Sequence, residues 1–284
     1  MKNLKIFSFG LALLMALTGC SSSFLDTEMT GSSMTQEEYE SIDGTFAATV
    51  VGLYPSLYTF GGEHHSFGQK SFDIANDLTS GDIALTAYTY GWFYTDEQGQ
   101  TAAARTGYVW NFYYGMLRNI NKVINIIGVQ SDITNRIAEF GLPNTYNEKN
   151  EIYYTIVDGD TLTSYTVLEA DIASYYAQAL TMRGYAYSNL IKLYAPTNMQ
   201  LRGAWADETV CPLYNENNLE DAQPVATLKE AYQQVENDLT LAISYFDAFG
   251  DTYARASKLN VDGNVARGLL AYSYLNKAVP SLPT

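Results

Sequence analysis

Long stretches of this chain carry an apolar residue at every third or fourth position. Two of these stripes are continuous, one at Val109, Tyr113, Met116, Ile120, Val123 and Ile127, the other at Leu228, Tyr232, Val235, Leu239, Ala242 and Phe246. Spacing of this kind places the apolar residues on one side of an α-helix, where a second element must cover them. The pattern therefore predicts a mostly all-α fold in which long helices pack against one another.

Three further segments fit the same period. Residues 169–194 form one of them, and their small residues Ala173, Ala177 and Gly184 would let another helix approach closely. Residues 261–277 predict a helix whose stripe is Val261, Val265, Leu269, Tyr272 and Leu275. A helix over 37–58 is also predicted, although Pro55 should end or kink its last turn because proline has no N–H to donate.

Helix starts and turns refine this fold class. Thr227 and Glu230 form a capping box, in which each side chain accepts a hydrogen bond from the backbone N–H of the other. Asp158 and Gly159 separate two β-prone runs, so residues 151–168 predict a β-hairpin. The expected fold is thus a set of enlarged tetratricopeptide-like helix pairs with long loops and one small β-hairpin insertion.

The N-terminus predicts export. Lys2 and Lys5 precede an apolar run over residues 6–17, which would cover about 18 Å as a helix against roughly 30 Å for a bilayer core. Such a run is typical of a signal peptide. It ends in Leu-Thr-Gly before Cys20, which resembles the lipobox of bacterial lipoproteins, and that resemblance implies cleavage before Cys20 and its lipidation. An ordinary secretory signal followed by a chance cysteine is the alternative.

These features give a domain plan. Residues 1–19 are predicted to be the lipoprotein signal peptide, and the Ser/Thr-rich residues 20–36 a lipidated tether between the membrane and the fold. Residues 37–284 are predicted to form one helical domain.

Charge and composition exclude several classes of function. The formal net charge of −15 argues against nucleic-acid binding, which needs a basic surface to replace counterions on phosphate. Two cysteines and two histidines leave little material for a zinc site or a disulfide framework, so no metal and no cofactor is expected. With Cys20 acylated, Cys211 is expected to be a small buried hydrophobic residue.

Tyrosine is the residue in surplus, with 24 in the chain, and one group of aromatic residues lacks helical spacing. Residues 88–94 form this group, in a polar, acidic stretch. Aromatic ring faces cover the C–H patches of sugars, and neighbouring carboxylates accept hydrogen bonds from hydroxyls. The candidate ligand-binding residues are Tyr90, Trp92, Phe93, Tyr94 and Asp82. The alternative is that these rings pack a loop onto the helical core.

Other chemical candidates have plainer interpretations. His64 and His65 are adjacent in sequence and lack an evident third ligand, which favours a surface loop over a metal site. Arg183 falls on the apolar stripe of its helix, which favours a structural arginine whose stem packs while its head meets a carboxylate, and a ligand contact is the alternative. Pairs such as Asp77 and Asp82 could serve a glycosidase, but general acid–base catalysis needs a separation that sequence does not give.

Several segments together resemble the SusD/RagB-type outer-membrane lipoproteins. Residues 169–196, with Met182, Arg183, Gly184 and Tyr185 inside them, are similar to the family's Arg-Ala-x-x-Tyr helix. The preceding and following helices match its spacing at Tyr114, Leu117, Ile120 and Asn121, and at Glu230, Tyr232, Asp238, Leu239 and Ala242.

This resemblance implies a location, a ligand and a partner. Family members are surface-exposed, lipid-anchored proteins of the cell outer membrane that bind glycans or other nutrients for SusC-like TonB-dependent transporters. Their framework is a helical domain with tetratricopeptide-like helix pairs, and its loops supply the ligand site. Members are usually much longer, so the chain is expected to lack the family's C-terminal part.

Three functions remain open from sequence. The first is a non-catalytic surface lipoprotein that captures an oligosaccharide or polysaccharide for its transporter. The second is a truncated helical scaffold that keeps partner-binding surfaces without a complete ligand site. The third is a surface glycoside hydrolase, and its only support in the sequence is the abundance of carboxylates.

Overall fold

A computed structural model describes most of the predicted helical domain. The described residues are 42–58, 60–88, 90–98, 103–130, 132–195, 207–249 and 260–278. The predicted signal peptide, the lipidated tether and Cys20 lie outside them.

The described residues are mostly helical, which confirms the expected fold class. The helices are α1 (Ile42–Val51), α2 (Gln69–Ser80), α3 (Trp92–Glu97), α4 (Ala103–Gln130), α5 (Ile133–Phe140), α6 (Val167–Tyr194), α7 (Leu228–Phe249) and α8 (Gly263–Ala278). The strands are β1 (Thr145–Asn147), β2 (Ile152–Val157), β3 (Asp160–Thr166), β4 (Thr209–Pro212) and β5 (Val225–Thr227). Two short 3₁₀ turns, Pro55–Leu57 and His64–Ser66, connect α1 to α2.

Helix α6 is the centre of the fold. It packs against α4 and α7, and α1 also contacts it. Because neighbours cover it on several sides, its buried positions run nearly all round the helix, and its five alanines are all fully buried. A Cβ at Gly184 would lie 2.8 Å from Leu239 Cγ, so α7 crosses α6 in direct contact, as the small residues predict.

Both long helices that follow a strand start with a capping box. The predicted box is present on α7, where the Glu230 carboxylate accepts from the Thr227 backbone N–H at 2.8 Å and Thr227 Oγ1 accepts from Glu230 N at 3.2 Å. Thr166 and Glu169 form a second capping box, which was not predicted, at the start of α6. These caps satisfy N–H groups that have no partner within the helix.

The predicted hairpin is present and larger than expected. Strands β2 and β3 pair antiparallel around Asp158 and Gly159, which both have positive φ as tight hairpin turns require. Strand β1 adds a third strand on β2. Tyr153 and Tyr165 face each other across the sheet, and each contacts Phe249 at the end of α7, which fixes the sheet on the helical core.

Helix α1 differs from its prediction in extent, and helix α8 differs from its prediction in which residues are buried. Helix α1 ends at Val51, before the 3₁₀ turn that starts at Pro55, so the proline acts as expected. Helix α8 buries Ala266 and Ser273, whereas Tyr272 and Leu275 of its predicted stripe are exposed. It packs mainly on α7, so one neighbour covers only part of its apolar surface. None of the described helices is both long enough and apolar enough to cross a bilayer.

Candidate functional site

The candidate site is built on a tight turn between α1 and α2. Phe60 N donates to Phe67 O at 2.7 Å, and Gly61 N donates to Ser66 O at 2.8 Å, which closes the segment on itself. A side chain at Gly61 would collide with the buried Ser66 and with Tyr108 of α4. The turn is therefore held close to α4, and its aromatic residues Phe60 and Phe67 are directed to the surface.

The predicted aromatic cluster is not a plain loop, because residues from Trp92 onward form α3. This helix has six residues, which is too short to give a readable period. Gly91 precedes it with φ 59°, and a Cβ there would overlap the imidazole of His65. Glycine is thus required both for the backbone conformation and for the contact between α3 and the His64–Ser66 turn.

Two of the predicted ligand residues, Trp92 and Phe93, pack against neighbouring side chains to different degrees. Phe93 is buried against Ala75 and Leu78 of α2. Trp92 is half-buried, and its ring lies 4.6 Å from that of His65. Both rings pack on the protein as the alternative interpretation expects, and their role as ligand-binding residues stays a prediction.

The tyrosines of the cluster are the exposed part. Tyr88 is 73% exposed and Tyr90 is 40% exposed. Tyr94 is half-buried and meets Tyr88 edge to face at 5.2 Å. His64 joins Tyr90 to Phe67, with ring centroids 6.4 Å and 6.3 Å away respectively. We call Tyr88, Tyr90, Tyr94, His64 and Phe67 the aromatic surface.

His64 and Phe67 were not among the predicted site residues. They lie more than twenty residues before the tyrosines, and only the turn contacts bring them together. The one signal in the sequence was the second aromatic group, at Tyr58, Phe60 and Phe67, which also lacks helical spacing.

A buried ion pair lies under the aromatic surface. Arg105 stands 5.5 Å from the rings of Phe72 and Trp92, 5.8 Å from that of Phe93, and donates to the His65 carbonyl oxygen. Its Nη2 lies 3.4 Å from Asp96 Oδ2, an ion pair in which neither atom has a hydrogen-bond partner among the described residues. The guanidinium thus fixes Trp92 and Phe93 through cation–π contacts.

Burial shifts the pKa values of two groups beneath the aromatic surface, Asp96 and His65. It raises the pKa of Asp96, against the opposing effect of Arg105. It also lowers the pKa of His65, and the nearby Arg105 charge lowers it further. His65 is therefore neutral at pH 7, which suits its stacking on Trp92. A cavity of 160 Å³ beside the pair, with Asn76 and Tyr194 also in its wall, is smaller than the roughly 300–1,000 Å³ of typical ligand pockets.

Asp82 belongs to a different feature from the rings. Its carboxylate accepts from Ser80 Oγ at 2.8 Å, and its N–H donates to Asp77 O at 2.9 Å, so it completes the turn that ends α2. Within the described ranges, no hydrogen bond or ring contact joins Asp82 to the aromatic surface. Its exposed carboxylate remains a predicted ligand contact. Glu97, in contrast, accepts from Leu85 N at 2.7 Å and ties the intervening loop to α3.

The remaining sequence candidates are structural. Arg183 donates to the Asp238 carboxylate through Nε at 2.8 Å and Nη2 at 2.7 Å, which confirms the expected carboxylate partner. Cys211 is fully buried, and burial raises the pKa of its thiol to about 11. In the part of the chain that is described, no three His, Cys, Asp or Glu side chains are grouped as a metal site.

Comparisons with known proteins identify the family. A SusD-like family model described as "Starch-binding associating with outer membrane" matches residues 23–270. The crystal structure of a SusD-like carbohydrate binding protein from Bacteroides vulgatus superposes with a TM-score of 0.57 at 20% identity, covering 84% of this chain and 42% of that one. Surface glycan-binding protein A from Bacteroides fluxus gives 0.48 at 15% identity, with 83% and 40% covered.

The extent of these matches decides what they show. No curated protein matches the sequence. The chain spans less than half the length of the solved structures. At 20% identity, the likeness to the Bacteroides vulgatus protein concerns the fold. The family model, in contrast, covers most of the 284 residues. The chain therefore belongs to the SusD-like family.

Proposed function

We propose that this protein is a cell-surface lipoprotein that binds a glycan, delivers it to a SusC-like TonB-dependent transporter and catalyses no reaction. The observation that carries the proposal is the aromatic surface, which presents exposed rings on a rigid base in a chain of a family described as starch-binding. Lipidation of Cys20 and attachment to the outer membrane are part of the same proposal.

The arrangement of the aromatic surface suits sugar binding. Tyr88 and Tyr90 offer ring faces to solvent, where they can cover the C–H side of a pyranose, and each phenol can exchange hydrogen bonds with hydroxyls. The α3 helix that follows them is held by Arg105 and by the contact between Gly91 and His65. A base held in this way reduces the ordering cost of binding.

The chemistry of the aromatic surface also predicts how binding responds to conditions. It contains no carboxylate, lysine or arginine side chain. Affinity for a neutral polysaccharide should therefore change little with salt, unlike binding through exposed charges.

Affinity electrophoresis and isothermal titration with a panel of soluble polysaccharides test this function. The variant Tyr88→Ala/Tyr90→Ala/Tyr94→Ala should lose retardation by the polysaccharide that the wild type binds. Tyr272→Ala/Tyr274→Ala is the matched control, because these tyrosines of α8 are 45% and 49% exposed and lie outside the aromatic surface. Equal retardation of both variants, or no binding by a folded wild type to any polysaccharide, would count against the proposal.

Membrane attachment and the transporter need their own measurements. Growth with labelled palmitate should label the wild type and not Cys20→Ser, and external protease should remove the wild-type protein from intact cells. A SusC-like transporter should co-purify with the lipidated protein from detergent extracts. Unlabelled wild-type protein would refute the anchor while leaving glycan binding untouched.

A helical scaffold that binds a protein partner is the second candidate. The observation that favours it is the exposed apolar surface on α8, where Tyr272, Tyr274 and Leu275 all face solvent. The scaffold predicts no polysaccharide binding by the folded protein, whereas binding that survives Tyr272→Ala/Tyr274→Ala but not the triple tyrosine variant would assign a glycan to the aromatic surface.

A further inference from the structure

A second aromatic recess lies between α4 and the segment that follows β4. Trp110, Tyr114 and Arg118 stand one helical turn apart on α4, and Pro212 and Tyr214 face them across the recess. Its volume of 340 Å³ falls within the roughly 300–1,000 Å³ of typical ligand pockets. We call this feature the Trp110 groove. None of its lining residues belongs to the aromatic surface.

Hydrogen bonds fix the far wall of the Trp110 groove. Tyr114 Oη donates to Pro212 O at 2.8 Å, which ties the two sides together at the floor. Tyr187 Oη accepts from Tyr214 N at 2.6 Å and donates to Tyr214 O at 2.8 Å, while Asn121 Nδ2 donates to the same carbonyl at 3.0 Å. The Tyr214 backbone is thus fully bonded, so the groove exists before any ligand arrives.

The rings of the groove are arranged as a corner. Trp110 and Tyr114 lie 4.7 Å apart with their planes tilted by 38°, and Tyr214 stands nearly perpendicular to Tyr114 at 5.9 Å. Tyr194 supports Trp110 edge-on at 4.9 Å. A half-buried indole supported from two sides offers its remaining face to a flat apolar ligand surface, such as the C–H side of a pyranose.

Arg118 supplies the charge of this site. Of the arginines with described side chains, Arg105, Arg136, Arg183 and Arg267 each have a carboxylate within 4.0 Å, and Arg118 has none in the described part of the chain. It is exposed at the groove, in a protein with a net charge of −15. With no carboxylate near it among the described residues, the Arg118 guanidinium is complementary to a ligand that bears a carboxylate. It can bind such a carboxylate with two parallel hydrogen bonds.

We propose that the Trp110 groove binds a sugar residue that bears a carboxylate, a uronic acid. Its ring stacks on Trp110 and its carboxylate pairs with Arg118. The inference rests on the proposed function in that the ligand is a glycan, and it goes further by assigning a second subsite and an acidic class of ligand.

Titration of the full chain with uronate trimers tests this inference. The probes are the trimers of galacturonate and mannuronate, each beside its methyl ester, which keeps the sugar ring and removes the charge. The wild type should bind an acid trimer at least about tenfold more tightly than its ester, and the preference should shrink as salt is raised. Equal binding of acid and ester by the wild type would overturn the proposal.

Variants assign the two halves of the site. Arg118→Gln should abolish the preference for the acid, and Arg118→Lys should restore part of it because charge returns without the planar fork. Trp110→Ala should lose binding of both acid and ester, while Trp110→Phe retains part of it and guards against a folding defect. Lys149→Gln removes one exposed positive charge from the turn between β1 and β2 and should change nothing.

The outcomes separate this inference from the proposed function. If no uronate trimer binds while the triple tyrosine variant loses polysaccharide binding, the Trp110 groove proposal is wrong and the aromatic surface stands. If a trimer binds through Trp110 and binding of no polysaccharide depends on the tyrosines, the assignment of glycan binding to the aromatic surface is wrong instead. Tighter binding of hydrocinnamate than of either trimer would assign the groove to an aromatic acid and overturn the proposal of a sugar ligand.

Discussion

Replacing Asp238 with asparagine tests the ion-pair network at the centre of the helical core. Arg183 and Asp238 join α6 to α7 through two parallel hydrogen bonds, and their side chains are 6% and 4% exposed. Burial alone lowers the pKa of Arg183, but the carboxylates of Asp238 and Glu216 outweigh it and raise that pKa above its ordinary value. An arginine guanidinium stays protonated in proteins and Glu216 remains beside it, so Arg183 keeps its charge when Asp238 is lost.

The expected cost follows from what remains around Arg183. Removing one partner of a buried ion pair costs about 3–5 kcal/mol, because the other charge stays desolvated. Glu216, which is 28% exposed and 2.6 Å from Arg183 Nη1, still compensates part of the charge. We therefore expect Asp238→Asn to lose about 3 kcal/mol of the roughly 5–15 kcal/mol typical of a native domain.

Urea unfolding followed by far-ultraviolet circular dichroism measures this change. The control is Asp247→Asn, which breaks the pair between Arg267 and Asp247, whose side chains are 46% and 57% exposed. Such exposed pairs contribute less than about 1 kcal/mol. If Asp238→Asn lowers the free energy of unfolding no more than Asp247→Asn does, the network does not stabilise the fold in the way argued.

Three further changes probe packing, hydrogen bonding and pH. Gly184→Ala should cost roughly 1–3 kcal/mol of unfolding free energy because its Cβ would press on α7, whereas Gly115→Ala, in a helix with open space, should gain about 0.5–1 kcal/mol. A loss with Gly115→Ala as large as with Gly184→Ala would contradict the close crossing. Tyr187→Phe should cost about 1–3 kcal/mol in the same assay by leaving the Tyr214 N–H without its hydroxyl partner, and unchanged stability would contradict a stabilising role for this bond. His65 has a lowered pKa in the folded protein, so the unfolded chain takes up the proton first and stability should fall as pH drops below 6.5. His65→Gln should remove that part of the dependence, measured as thermal midpoints from pH 8 to 5.

The long helices could be predicted because each repeats its apolar period over several turns. Helices α4, α6 and α7 all have stripes of five or more residues, and a capping residue marks the start of α7. Helix α2 was missed because its twelve residues bury few apolar side chains, chiefly Phe72, Ala75 and Leu78. Helix α3 has too few turns for any period to be visible.

The candidate site was predictable only in part. The sequence located the aromatic residues 88–94, but it could not tell which rings face solvent, because that depends on how α3 meets α2. Phe93 enters the core there, while Tyr90 stays at the surface. The Trp110 groove was missed for a related reason: Trp110 sits beside an apolar stripe, and only the fold brings Tyr214 opposite it.

The segment after β4 has no regular secondary structure, yet hydrogen bonds from side chains of the helical core hold it in place. Tyr214 is held through Tyr187 and Asn121, and Glu216 bonds Arg183 of the central network. Local opening of this segment therefore requires breaking bonds to α4 and α6, so it should exchange amide hydrogens in the same cooperative unit as the helical core. In this protein, a wall of a ligand groove and the core of the domain would share one unfolding event, and occupancy of the groove would raise the protection of the whole unit.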